Sequence, residues 1–308
     1  MTFFGTIDPA LLIASLMVSA TPILLAALGE MVVERSGVLN LGLEGMMITG
    51  AVVGFAFAVN TGNPVVGFAS AAVAGALLSL AFGLLTQFLL SNQVATGLGL
   101  TLAGLGLSSL IGKPYEGMKA PSLPKLDIPV LGDLPIVGRM LFSHDAMVYM
   151  SIALVVAVWA FIKFTRAGLI LRAVGESAEA AHALGYKVVR VRLMAILFGG
   201  ACAGLGGAYL SLVRVPQWTE GMTAGAGWIA LAIVVFASWR AGRILVGAYL
   251  FGGVTVLQLN LQAAGSNLPV EYLSMSPYLI TILVLVLISA RGAHNAPAAL
   301  GRIFHASN

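Results

Sequence analysis

The chain has 308 residues, 59% of them hydrophobic and 9% charged, with a formal net charge of +4 and a mean hydropathy of +0.99. This is far too apolar for a soluble domain, and the small positive balance points to no nucleic-acid partner. From Gly45 to Gly112 no Asp, Glu, Lys or Arg occurs, which excludes a single soluble core helix and leaves room for three spans of about 20 residues each.

The expected fold class is therefore all-α: a polytopic integral membrane protein, 1–308 forming one transmembrane domain. A barrel is disfavoured because its strands would alternate polar and apolar residues. The first apolar run, 9–29, follows "MTFFGTID" without Lys or Arg; it reads as a retained span rather than a cleavable signal. Further charge-poor windows fall at 41–59, 64–90, 94–112, 146–162, 193–213, 221–239, 244–270 and 272–290, with Glu44 the one charge inside them. This gives about nine spans, within a range of eight to ten. "NTGNP" at 60–64 is a turn signal and "SNQ" at 91–93 breaks the next stretch. A re-entrant or broken helix fits best within 36–60 or 86–112.

Asn40 and Glu44 stand four apart and share a helix face. One reading is structural: Asn40 caps the helix, and Glu44 sits in its first turn near the positive dipole end. The other places both on a solute pathway, since intramembrane carboxylates are costly and often functional. Asn92 and Gln93 either turn the chain at the membrane face or line the same path. The loop 113–145 carries five prolines and reads as an extended connector or external docking surface. In "FGGACAGLGGAYL", Gly200, Gly204 and Gly207 lie near one face and allow close helix approach, either as tight packing within the chain or as a dimer seam or gate. Trp218 and Trp228 suit an interfacial belt. "TEGMTAGAG" between them, with Thr223, is a flexible candidate outer gate. Cys202 lies alone in an apolar segment and reads as core.

Alternating loops divide the basic residues eleven against five. The larger set includes Arg35, residues 163–192, Arg240, Arg243, Arg291 and Arg302. It is expected on the cytoplasmic side, with 113–145 outside, the C-terminus inside and the N-terminus outside by parity.

The segment 165–192 is the one charged insert. Its core "ESAEAAHAL" (176–184) is rich in helix formers, Gly185 follows at a left-handed C′ position, and acids precede bases along it. "EAAHALG" resembles the EAA-x-x-x-Gly coupling loop of ABC-importer permeases. The segments "SGVLNLGLEGMMITGA", "NQVATGLGLTLAGLGLSS", "MTAGAGWIALAIVVFASW" and "SPYLITILVLVLI" resemble, in that order, permeases of the simple-sugar and nucleoside branch. That branch is related to the ribose and branched-chain amino-acid permeases. Within it the chain looks like the shorter of two paralogous permeases in BMP-type nucleoside importers.

The resemblance implies a multi-pass inner-membrane pore subunit of a bacterial importer. It also implies an ATP-binding subunit, a paralogous permease and an external substrate-binding lipoprotein as partners, within membrane lipid. It assigns ATPase coupling to Glu176, Glu179, Ala180, Ala181 and Gly185. A solute pathway would be bordered by Asn40, Glu44, Asn92, Gln93, Thr223 and Trp228. No cofactor is expected on this chain: ATP and Mg belong to the partner, and "IGKPY" lacks the glycine and hydroxyl of a phosphate loop. A secondary transporter with Glu44 as coupling site is the alternative; it has no use for a docking helix. An intramembrane enzyme finds no HExxH, GxSxG or His/Cys cluster in its support.

Overall fold

The computed structural model describes residues 9–127, 137–263, 269–289 and 296–305. In chain order the helices are α1 (Pro9–Arg35), α2 (Leu43–Thr61), α3 (Pro64–Gln87), α4 (Gln93–Gly112), α5 (Val137–Leu141), α6 (Ala146–Phe164), α7 (Arg166–Glu176), α8 (Ala178–Ala183), α9 (Val188–Tyr209), α10 (Ala226–Phe236), α11 (Ala241–Ala263) and α12 (Val270–Ser289). Two three-residue strands, β1 (Lys125–Asp127) and β2 (Ser143–Asp145), pair antiparallel, with Lys125 opposite Asp145. The protein is an all-α polytopic membrane protein.

Seven helices among the described residues are long and apolar enough to span a membrane: α1, α2, α3, α4, α6, α9 and α11. The expected window at 221–239 does not hold a full span. It contains only α10, 11 residues long, or about 16 Å against a hydrocarbon core of about 30 Å. The number nine therefore stands as an expectation only.

Local signals explain several helix starts. Asn63 caps α3 through Val65 N, with Pro64 in its first turn. Asn92 caps α4. Asp145 caps α6 through Met147 N and Val148 N and receives the Tyr209 hydroxyl at 2.8 Å. Each side chain satisfies backbone N–H groups that the helix itself leaves free.

The centre is α9, packed against α1, α2 and α3. Its glycines permit this. A Cβ on Gly204 would stand 2.1 Å from the Ala71 carbonyl oxygen, and one on Gly207 1.8 Å from that of Met47. Gly200 and Gly204 thus face α3 while Gly207 faces α2, so the stripe serves two neighbours. In lipid, where apolar burial gives little drive between helices, such close backbone approach supplies the packing. Leu102 and Leu110 on α4 and Val246 on α11 stay exposed, as a lipid-facing rim requires.

Arg35, Lys163, the α7–α8 hairpin and the start of α11 share one end of the bundle. At the other, the 113–127 segment packs on the chain after α9: Ala120 N donates to Pro216 O, and Lys119 bridges Gln217. Trp218 is buried there, its indole against Gly112. It is part of the core rather than an interfacial belt, because the outer segment folds over it; half-exposed Trp228 keeps the belt position.

Candidate functional site

The chain does not pass from α1 to α2 by a plain turn. Gly37, with φ +87°, reverses it, and residues 38–42 climb back alongside α1. Asn40 N donates to Glu30 Oε1 at 3.3 Å, Leu39 N to Gln93 Oε1 at 2.8 Å, and Thr101 Oγ1 to Leu41 O at 3.1 Å. Thr101 lies mid-way along α4, so α2 begins deep in the bundle. The Asn40 side chain accepts from Gly42 N at 2.9 Å, an Asx turn that sets up the start of α2.

A second break meets the first. After α9 the chain makes a π-helical turn, Leu210–Arg214, descends through Gly221, Ala224 and Gly225, all with positive φ, and begins α10. The Glu44 carboxylate joins the two. Oε1 accepts from Thr223 Oγ1 at 2.6 Å and Gly225 N at 2.9 Å; Oε2 accepts from Gly227 N at 2.7 Å. Glu44 thus sits in the first turn of α2 and simultaneously closes the N-terminus of α10. Two positive helix ends and three donors stabilise one buried negative charge. Gly227 is required by proximity: a Cβ there would lie 2.6 Å from Glu44 Cα.

Of the expected pathway residues, the structure brings Glu44 and Thr223 into direct contact. Asn40 and Gln93 are buried around the same re-entrant segment. Asn92 is exposed and spent on its cap, and Trp228 points outward. Neither joins the cluster.

Sequence reasoning missed Glu30 and Glu34, both fully buried near the end of α1. Glu30 receives Asn40 N, and Glu34 receives the Trp239 indole at 2.5 Å, binding α1 to the re-entrant segment and to the turn after α10. The available signal was two acids four apart in the last turns of an apolar helix.

The insert also departs from expectation. Its helix is not continuous over 176–184. Glu176 ends α7, and Ser177, extended at φ −150°, caps the six-residue α8 through Ala180 N. Gly185 has φ +86°, as a C′ glycine should. α9 begins at Val188, so Arg190 and Arg192 belong to a span rather than to the loop. Glu179, Ala180, Leu184 and Gly185 are exposed, whereas Ala181 packs with Val174, Ala178, Val188 and Phe304. Glu176 faces the C-terminal segment, accepting from Ala298 N at 3.4 Å.

That segment stitches the hairpin to the re-entrant turn. Ala299 N donates to Gly175 O and Gly301 N to Gly37 O. Buried Arg192 donates to Ser36 O and Arg302 O, both at 3.2 Å. Gly175 lies against the Arg35 carbonyl, where a Cβ would stand 2.1 Å away. An unbroken set of contacts therefore runs from α8 to residues 35–37, and along the re-entrant segment to Glu44.

A bundle of membrane-long helices with paired helix breaks at mid-depth and a short hydrophilic hairpin at one end defines a permease-type membrane protein. The family described as branched-chain amino acid transport system / permease component matches residues 12–287, and the chain belongs to it. It is 42% identical to the putative glucose ABC transporter permease protein TsgC13 of Haloferax volcanii, over 87% of this chain and 88% of that protein. It is 33% identical to the guanosine ABC transporter permease protein NupQ of Bacillus subtilis, over 95% of each. With the nucleoside ABC transporter permease protein NupC of Lactococcus lactis it shares 28%, over 90% and 92%. No solved structure matches. The chain is a multi-pass permease subunit of an ABC transporter.

Proposed function

We propose that this chain forms half of an import pathway for nucleosides or related simple sugars, driven by a separate ATP-binding subunit. One observation carries the coupling part of this reading: the α7–α8 hairpin is welded to residues 35–37, which lead straight to the Glu44 junction. A push on exposed α8 then moves the place where α2 and α10 meet, and transporter binding sites are commonly built at such broken helices. The hairpin end is cytoplasmic in this reading and the chain sits in the inner membrane, as its basic residues favour. Names of the relatives favour a neutral polar solute, glucose or a nucleoside. The Glu44 oxygens already hold three fixed donors, so Glu44 organises the junction, and nothing in the site favours gradient-driven coupling.

The second half of the pore is a paralogous permease, with an external binding protein delivering the solute. Co-expression of tagged chain with its genomic neighbours, followed by co-purification and reconstitution, tests this. The expected result is a complex with two different permeases and ATP-dependent uptake of labelled guanosine or glucose. A homodimer that transports with only ATPase and binding protein added would defeat the heteromer. Uptake of leucine but of neither candidate solute would defeat the substrate class.

A further inference from the structure

At the hairpin end, away from the Glu44 junction, lies a cavity of about 630 Å³ bordered by α6, α7 and the ends of α1 and α11. Five cationic side chains line it: Arg35, Lys163, Arg172, Arg240 and Arg243. Among the described residues none of the five has a carboxylate within ion-pairing distance. Glu176 is near enough to attract Arg35, but Arg172 and Arg240 are near enough to repel it. The Arg172 side chain makes no hydrogen bond among the described residues, and its Nε is buried without a partner. The pocket holds an excess of positive charge that the chain does not neutralise.

The surroundings are those of a membrane interface. Trp159 and Trp239 line the same cavity, and the Lys163 ammonium lies 5.0 Å from the Trp159 ring and 5.2 Å from that of Phe164. Trp159 is half exposed. Val156, one turn along α6, and Val246, one turn beyond Arg243 on α11, are exposed and apolar, giving acyl chains a wall to run along. We infer that this pocket binds the phosphate headgroup of an anionic phospholipid, with cardiolipin, which carries two phosphates, as the best match to five cations. Basic pockets between helix ends bind such headgroups through charge-assisted hydrogen bonds, and half-exposed Trp159 suits the headgroup level, while Trp239 forms the buried wall. The inference is independent of the transported solute.

The test uses the full-length chain in its assembled transporter, purified in mild detergent, with melting followed after addition of cardiolipin, phosphatidylcholine or inorganic phosphate. Cardiolipin is expected to raise the melting temperature by several degrees, the other two to leave it unchanged, and the R172Q/R243Q variant to lose the shift. An equal rise with phosphatidylcholine, or an undiminished rise in the variant, would overturn the site. An equal rise with phosphate would assign it to free anions instead. A rise in the isolated chain that vanishes on assembly would assign it to an acidic face of a protein partner. If the double variant does not accumulate, native mass spectrometry of the unaltered transporter decides, since absence of any retained anionic phospholipid also refutes the proposal.

Discussion

Glu44 shows how much one side chain carries here. Replacing it with Gln keeps the shape but sets an NH2 group against N–H donors and removes the charge that faces two helix ends. Losing charge-assisted bonds of this kind costs about 2–3 kcal/mol. Glu44→Gln is therefore expected to lower the stability and yield of the assembled complex while leaving solute preference unchanged. Competition uptake assays on the surviving complex read this out, and altered selectivity with intact assembly would make Glu44 a pathway residue. Gly227→Ala is predicted to be worse, because its Cβ would collide with the α2 backbone and α10 would have to move. Glu44 was legible in the sequence as a first-turn residue, but Asn40 neither caps α2 nor shares a helix face with Glu44: α2 begins at Leu43 with Gly42 as its N-cap, and the Asn40 side chain turns the chain just before it. The donors to Glu44 were not, because Thr223, Gly225 and Gly227 lie about 180 residues away and no local periodicity encodes that meeting.

At the scale of elements, α8 separates two adjacent alanines. Ala180 is exposed and Ala181 is packed. Ala180→Asp is expected to leave folding intact and cut ATP-driven uptake at least tenfold. Ala181→Asp, which buries an unpaired charge, should destabilise the hairpin and lower the amount of protein in the membrane. Expression and uptake measured together distinguish the two, and equal behaviour of the variants would refute the assigned faces. Leu184, 76% exposed, is the apolar contact such a docking helix would offer, and Leu184→Asp should resemble Ala180→Asp. The hairpin was visible in the sequence because charge, helix formers and a C′ glycine coincide within a few residues. α10 was not: a charge-free window does not separate helix from loop, and the glycine-rich descent before α10 and the turn through Trp239 carry no charge between 221 and 239, so they completed an apparent span. The re-entrant segment at 36–42 does fall in one of the two regions where the sequence favours a break.

For the whole molecule, the basic residues predict an orientation that is open to a direct test. Single cysteines at Ser177 and His305, both exposed at the hairpin end, should resist an impermeant external thiol reagent, and one at exposed Ser122 should react. Native Cys202 is buried and should stay silent. Labelling at 177 from outside would invert the topology and remove the coupling role of α8. The fold class and the close helix packing around the central glycines were readable from composition and spacing. The C-terminal clasp was not, since its partners are mostly backbone groups that any sequence presents.

That clasp has a consequence for how the protein is made. Chains emerge N-terminus first, so α7 and α8 leave the ribosome about a hundred residues before the strand that fastens them. Until Phe304 slides beneath α8 and the Arg302 carbonyl reaches Arg192, the hairpin lacks its floor. If α8 docks the ATP-binding subunit as proposed, a hairpin without this floor is expected to bind it poorly. A chain stopped after Ser289 should then still enter the membrane yet fail to capture the ATP-binding subunit in a pull-down.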